Sequence, residues 1–288
     1  MHDVDSSPKI VLSRFGRVTR REIAYILEIV EECYSRLEPH EVALVDLYVF
    51  EKSSSLDAFM EKETKEVGVL SSSFDELFFA MHDAYRGTSR IIICFERMKT
   101  LPNPVKVGGI RHEIGHSVLH GSLLYYLLSL PPTLSDLMNR FNISRQYATN
   151  LLYLISIAVK DYEVTRLLHA RGYIEDQIAY AKYMLSVTEE DKLAWEMSRG
   201  KPLAEILCLV SRLKSAGCVA PLLSDSTFGE DLKTLLTENL LYRSIDLSTS
   251  QFNMIMEAFL SLGTDTLSNI NKMARSVVES IINPLLLR

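Results

Sequence analysis

The chain has 288 residues, 47% hydrophobic and 24% charged, the balance of a globular protein rather than a disordered one. At roughly 150 residues per domain, this length predicts one or two domains with enough chain to bury a core unaided. Acidic residues outnumber basic ones 37 to 31, and the net charge of −6 offers no general attraction to nucleic acid or to an anionic membrane.

The opening residues, MHDVDSSPK, are polar and acidic and lack the apolar stretch of a signal peptide. The most lipid-like stretch, residues 123–130, stops at Pro131-Pro132. It is far shorter than the ~18 residues a membrane helix needs. Cys33, Cys94, Cys208 and Cys218 form no C-x-x-C pair and sit in apolar contexts. They read as free thiols of a reducing compartment. A cytoplasmic protein without a membrane partner is expected.

In chain order, residues 18–37 carry apolar side chains at three- and four-residue steps and predict an amphipathic helix. Thr19 and Glu22 stand at capping-box spacing, and Pro39 ends the helix. The period then changes. Residues 42–50, 77–81 and 90–95 are rich in β-branched and aromatic residues and predict strands, the last two joined by a hairpin-like connection over 82–87. Residues 54–65 predict a short helix between them. Beyond residue 105 the pattern is helical throughout, over 106–120, 123–129, 133–141, 144–171, 174–185, 189–198, 202–216, 229–242, 248–262 and 265–282. The fold class is therefore α+β, mostly α, with a small N-terminal sheet. Residues 1–198 are expected to form the first domain, sheet-containing over 1–105 and helical over 106–198. The break at Ser198-Arg-Gly-Lys-Pro202 sets off a helical C-terminal region, 199–288. There Leu235, Leu236, Leu240, Phe252, Ile255, Met256 and Phe259 read as core.

The sharpest signal lies at Arg111-His112-Glu113-Ile-Gly-His116-Ser-Val-Leu-His120. It contains H-E-x-x-H, and the chance of one such match in this composition is on the order of 1%. On a helix, residues four apart are rotated about 40° and raised about 6 Å, so His112 and His116 can share one metal ion. Glu113 is rotated about 100° from His112, beside the ion rather than on it, where it can take a proton from water. Val107, Ile110, Ile114 and Val118 form an apolar back to this helix, and Gly109 on the histidine side leaves room for a ligand. His120 lies about 12 Å along the axis from His112, too far to share the ion, and reads as a packed or hydrogen-bonded residue.

A site with an open water position needs a third ligand. Residues 144–171 offer Asp161 and Glu163 among apolar neighbours. A carboxylate buried there is costly unless paired or metal-bound. Glu163 is the favoured ligand, and Asp161, about 200° away on the same helix, is the alternative. Both also have the plainer role of pairing with Lys160 or Arg166.

His112-Glu-Ile-Gly-His116 followed by a helical Glu resembles the zincin metallopeptidases in their gluzincin arrangement. The string H-E-I-G-H-S-V-L-H is similar to the active-site helix of ImmA/IrrE-type peptidases and of minigluzincins. The resemblance covers about a dozen residues, with a weaker echo at Glu163. It implies one Zn²⁺ per chain on His112, His116 and Glu163, with Glu113 as general base in peptide-bond hydrolysis. It also implies a peptide or protein substrate laid along a sheet edge, and an oxyanion donor for which Tyr126, Tyr162 and His169 are candidates. The alternative is a zincin-fold metal-binding sensor or regulatory protein without constitutive protease activity. Association with DNA is a further alternative, because residues 133–152 resemble a helix-turn-helix. Only Arg140 and Arg145 bring positive charge there, so nucleic acid is not the expected partner.

Overall fold

The computed structural model describes residues 7–67, 78–84, 86–241 and 248–287. The strands are β1 (Lys9–Phe15), β2 (Leu44–Phe50), β3 (Ala80–Asp83) and β4 (Ser89–Cys94). The helices of the first half are α1 (Arg20–Leu37), α2 (Ser53–Val67), α3 (Phe95–Met98) and α4 (Asn103–His120). Next come α5 (Pro132–Phe141), α6 (Arg145–Ala170), α7 (Glu175–Met184), α8 (Glu189–Ser198), α9 (Pro202–Ser211) and α10 (Leu213–Val219). The last are α11 (Gly229–Leu241), α12 (Thr249–Leu260), α13 (Thr266–Val277) and α14 (Asn283–Leu286). The fold is α+β and mostly α, as the sequence pattern requires. No helix among the described residues is long and apolar enough to cross a membrane.

The chain divides into two compact units, but not at residue 198. One comprises residues 1–126 and 170–180; the other comprises 127–169 and 181–288. The expected partition followed the Gly-Pro punctuation of the chain. The observed one follows contacts, and the chain passes between units three times.

The first unit is built on a four-stranded sheet of order β1-β2-β4-β3. β1, β2 and β4 run parallel, and β3 pairs antiparallel with β4, so β3 is an edge strand and residues 89–94 are interior. β1 was not among the expected strands. Its apolar run Ile10-Val11-Leu12 does not alternate, and Val11 and Leu12 are exposed at the opposite edge. On one sheet face Phe50, Ile92 and Cys94 pack beneath Leu56 and Phe59 of α2, with Met81 beside them. α1 carries the capping box read from the sequence, Thr19 accepting from Glu22 and Glu22 from Thr19. Its apolar stripe, with Ile26, Val30, Cys33 and Tyr34, is fully buried, and it packs on α4.

The β3–β4 hairpin is locked electrostatically. Arg90 stands directly across from Asp83 and donates to it at 2.8 Å, and also donates to Glu63 of α2 at 2.9 Å. Burial pushes the Asp83 carboxyl up, against the pull of Arg90. Leu77 and Tyr85, expected in the strand and its connection, lie outside the described residues.

The second unit is helical. α5 and α6 meet through a tight turn in which Asn142 adopts a left-handed conformation at φ 51°. α6 is buried along most of its length, from Leu151 and Ile155 to Leu168. Gly217 of α10 permits close packing, because a Cβ there would stand 2.2 Å from the Ala158 carbonyl oxygen. The expected helix 202–216 breaks at Arg212 into α9 and α10. The expected helix 123–129 shrinks to a single 3₁₀ turn, Leu123–Tyr125. Leu236, Phe252, Ile255, Met256 and Phe259 are core residues; Leu235 is half-buried, and the Leu240 side chain lies outside the described residues.

Candidate metal centre

The H-E-x-x-H sequence lies in the middle of α4. Pro104 in the first turn costs no hydrogen bond, because a helix's first N–H groups lack intrahelical partners. Two glycines let the helix sink into the first unit. A Cβ on Gly108 would stand 2.3 Å from the Asp176 carbonyl oxygen, and one on Gly109 would stand 2.2 Å from the Phe79 ring. The space beside Gly109 is thus filled by Phe79 and is not room for a ligand, which corrects the sequence reading. Gln177 donates to the Gly108 carbonyl at 3.0 Å. Arg111 bridges Asp176 and Glu32 at 3.0 and 2.8 Å and lies 4.2 Å over the Tyr173 ring. These contacts fix the helix in position and rotation.

The expected apolar back and open histidine front are not separate. Ile110 and Ile114 are buried, but so are His112, Glu113 and His120, while His116 is half-buried. The His112 and His116 rings meet edge to face with centroids 4.8 Å apart, as the four-residue spacing requires. His112 also packs on the Tyr180 ring at 5.1 Å. The third histidine contacts the second: His116 Nδ1 and His120 Nδ1 are 3.2 Å apart.

A fourth histidine, not singled out in the sequence, joins this group. His82 of β3 lies parallel to His116, with centroids 6.2 Å apart and planes 5° apart. Both its ring nitrogens are engaged, Nε2 with Ser89 Oγ at 2.8 Å and Nδ1 with the Tyr126 hydroxyl at 3.1 Å. Ser89 donates to Ser117 on α4 at 2.8 Å, and Tyr34 donates to the same Ser117 oxygen at 2.7 Å. With Ser89 donating onward, its oxygen accepts from His82 Nε2–H, so His82 Nδ1 accepts from the Tyr126 O–H. A hydrogen-bonded chain therefore runs from buried Tyr34 to half-exposed Tyr126. Only the strand register of residues 80–83 could have placed His82, and the sequence reading had put it in the connecting turn.

His112, His116 and Asp161 form a group that could hold a metal ion, with one ligand atom from each lying within 4.8 Å of the others. Two imidazoles and a carboxylate are the donor types of a His₂-carboxylate zinc site. Glu163, the favoured third ligand in the sequence reading, is not in this group. Its two carboxylate oxygens accept from Asn269 Nδ2 at 2.5 Å and from the Thr266 hydroxyl at 2.8 Å. Burial pushes the Glu163 carboxyl up, against the lowering effect of these two donors. Lys160 is also buried in α6, and desolvation pushes its ammonium down to about 8 against the attraction of Asp161 and Glu163.

The three oxyanion candidates occupy different settings. Tyr126 joins the histidine cluster through His82. Tyr162 is buried against Phe259 at 5.6 Å, with Arg166 over its ring, which is a packing role. His169 is half-buried near the end of α6. All four cysteines are free thiols.

Comparison with protein-family models, curated proteins and solved structures returns no match. The chemistry of these residues therefore carries the functional reading by itself.

Proposed function

We propose that the chain is a zinc-dependent metallopeptidase in which His112, His116 and Asp161 hold the ion and Glu113 carries the proton. The observation supporting this reading is the metal-competent His112–His116–Asp161 group, two of whose members come from an H-E-x-x-H sequence on one helix. When bound, zinc supplies Lewis-acid chemistry that polarises a carbonyl and acidifies water. The same donor set also suits ferrous iron. Glu113 favours hydrolysis, since it adds a buried carboxylate one residue along α4 from the first donor. Its buried carboxylate is suited to take a proton from the attacking water and return it to the leaving amine. Tyr126 joins the histidine cluster through His82, and its hydroxyl, by turning its one hydrogen from His82 Nδ1 to the substrate oxygen, would meet the negative charge developing there. Among the described residues β3 pairs only with β4, and its other edge suits an extended peptide.

The test is metal content by mass spectrometry, followed by cleavage of a fluorogenic peptide library, on wild type and Glu113→Gln. Zinc near one per chain in both proteins, with hydrolysis only in wild type, is the expected result. Zinc without hydrolysis in wild type would favour a metal-binding regulatory protein. Iron in place of zinc, or no metal after refeeding, would overturn the zinc reading.

A further inference from the structure

The third histidine of α4 has no place in the donor set, yet it is fully buried and contacts a donor. We infer that His120 is a positioning residue that fixes the tautomer and ring orientation of His116, so that His116 presents Nε2 to the metal. This rests on the metal-site reading above.

The argument is one of proton accounting. A neutral imidazole carries one N–H and one lone pair. The 3.2 Å contact joins Nδ1 of His116 to Nδ1 of His120, so one of the two donates and the other accepts. If His116 accepted, its Nδ1 lone pair would be spent on His120 and its Nε2 would carry the hydrogen, leaving no lone pair for an ion. A metal-binding His116 must therefore donate from Nδ1–H and offer Nε2. His120 then accepts at Nδ1 and carries its own hydrogen on Nε2. The same contact excludes His116 from binding through Nδ1.

The geometry supports a fixed partner. His120 ends α4, and its ring meets Tyr125 edge-on at 5.3 Å. Gly121 caps the helix, and a Cβ there would stand 2.3 Å from the Ser117 carbonyl oxygen, so glycine fits the tight space directly after His120. Packing thus holds the acceptor in place, and His116 needs no reorientation to bind the ion. Loss of such a supporting hydrogen bond typically weakens metal binding by roughly 10–100-fold.

The test is zinc affinity of the full chain by chelator competition in wild type, His120→Phe and His120→Asn. Phe keeps a ring against Tyr125 but cannot accept. Asn places its amide oxygen near the position of Nδ1 and can. The expected result is a loss of roughly 10–100-fold in His120→Phe, with recovery to within about 3-fold of wild type in His120→Asn. Nitrogen-15 NMR of zinc-loaded wild type gives a second reading that does not depend on a variant folding. It should show His116 protonated at Nδ1 and His120 protonated at Nε2. Wild-type zinc binding with an unaffected His120→Phe, or a His120 protonated at Nδ1, would overturn the inference alone. No zinc binding by wild type would overturn the metal-site reading and this inference with it.

Discussion

The rings of His82 and His116 lie parallel, 6.2 Å between centroids, although the residues come from an edge strand and a helix. This relationship places the Tyr126 hydroxyl, 3.1 Å from His82, within the same polar cluster as the helix histidines.

Tyr126 should therefore matter to turnover and not to folding or metal binding. In the proposed reaction its hydroxyl meets charge that develops only in the transition state. Removing one such donor commonly costs on the order of 100-fold in kcat. Tyr126→Phe is expected to lower kcat by about that factor, with zinc content and KM nearly unchanged. Steady-state kinetics beside metal analysis would check it. A change confined to KM would assign Tyr126 to ground-state binding instead.

The choice between the two carboxylates of α6 is open to a direct comparison. Asp161 groups with His112 and His116, whereas Glu163 already accepts from Thr266 and Asn269. Asp161→Ala removes a ligand and should weaken zinc by more than the roughly 10–100-fold typical of a supporting residue. Glu163→Gln should leave zinc affinity within about 3-fold of wild type. Equal losses in both variants, read by chelator competition, would return Glu163 to the ligand set.

Gly108→Ala reverses an ordinary expectation. In an open helix, alanine in place of glycine gains up to about 1 kcal/mol. Here the added Cβ would stand 2.3 Å from the Asp176 carbonyl oxygen and 2.9 Å from Tyr180 Cβ. Backbone cannot yield as a side-chain tip can, so overpacking should outweigh propensity and destabilise by roughly 1–3 kcal/mol. Thermal or urea unfolding would read this as a lower midpoint, and an unchanged or raised midpoint would show that α4 has slack against α7.

Local signals were legible in the sequence and long-range ones were not. The capping box of α1 depends on residues three apart, and it formed as read. The H-E-x-x-H spacing is likewise a property of one helix, and it brought His112 and His116 together. The burial of Glu163 was also legible, because its neighbours on α6 are apolar. Its partners were not, since Thr266 and Asn269 lie about a hundred residues further on. Helical periodicity separates Asp161 from Glu163 by about 200° but cannot say which of them groups with the histidines. His82 was missed for a related reason. A four-residue strand has too short a pattern to reveal its register, and Leu77 and Phe78 drew the expected strand toward the N-terminus.

Glu163 also gives the second unit a pH dependence whose sign follows from its burial. Desolvation raises its folded pKa above the ordinary value of 4.5, so the fold favours the protonated carboxyl. Stability from this group is then fully present below 4.5 and lost as pH rises through the folded pKa. Other carboxylates add their own slopes, so the informative quantity is the difference between wild type and Glu163→Gln. Gln is neutral at every pH. Its amide oxygen can accept from Asn269, and the Thr266 hydroxyl can rotate to accept from its NH₂ group. Unfolding free energies in urea at pH 5 and pH 7.5 should show wild type losing stability relative to Glu163→Gln at the higher pH. Identical slopes in the two proteins would mean that the Thr266 and Asn269 donors fully offset desolvation, leaving the folded pKa at its ordinary value.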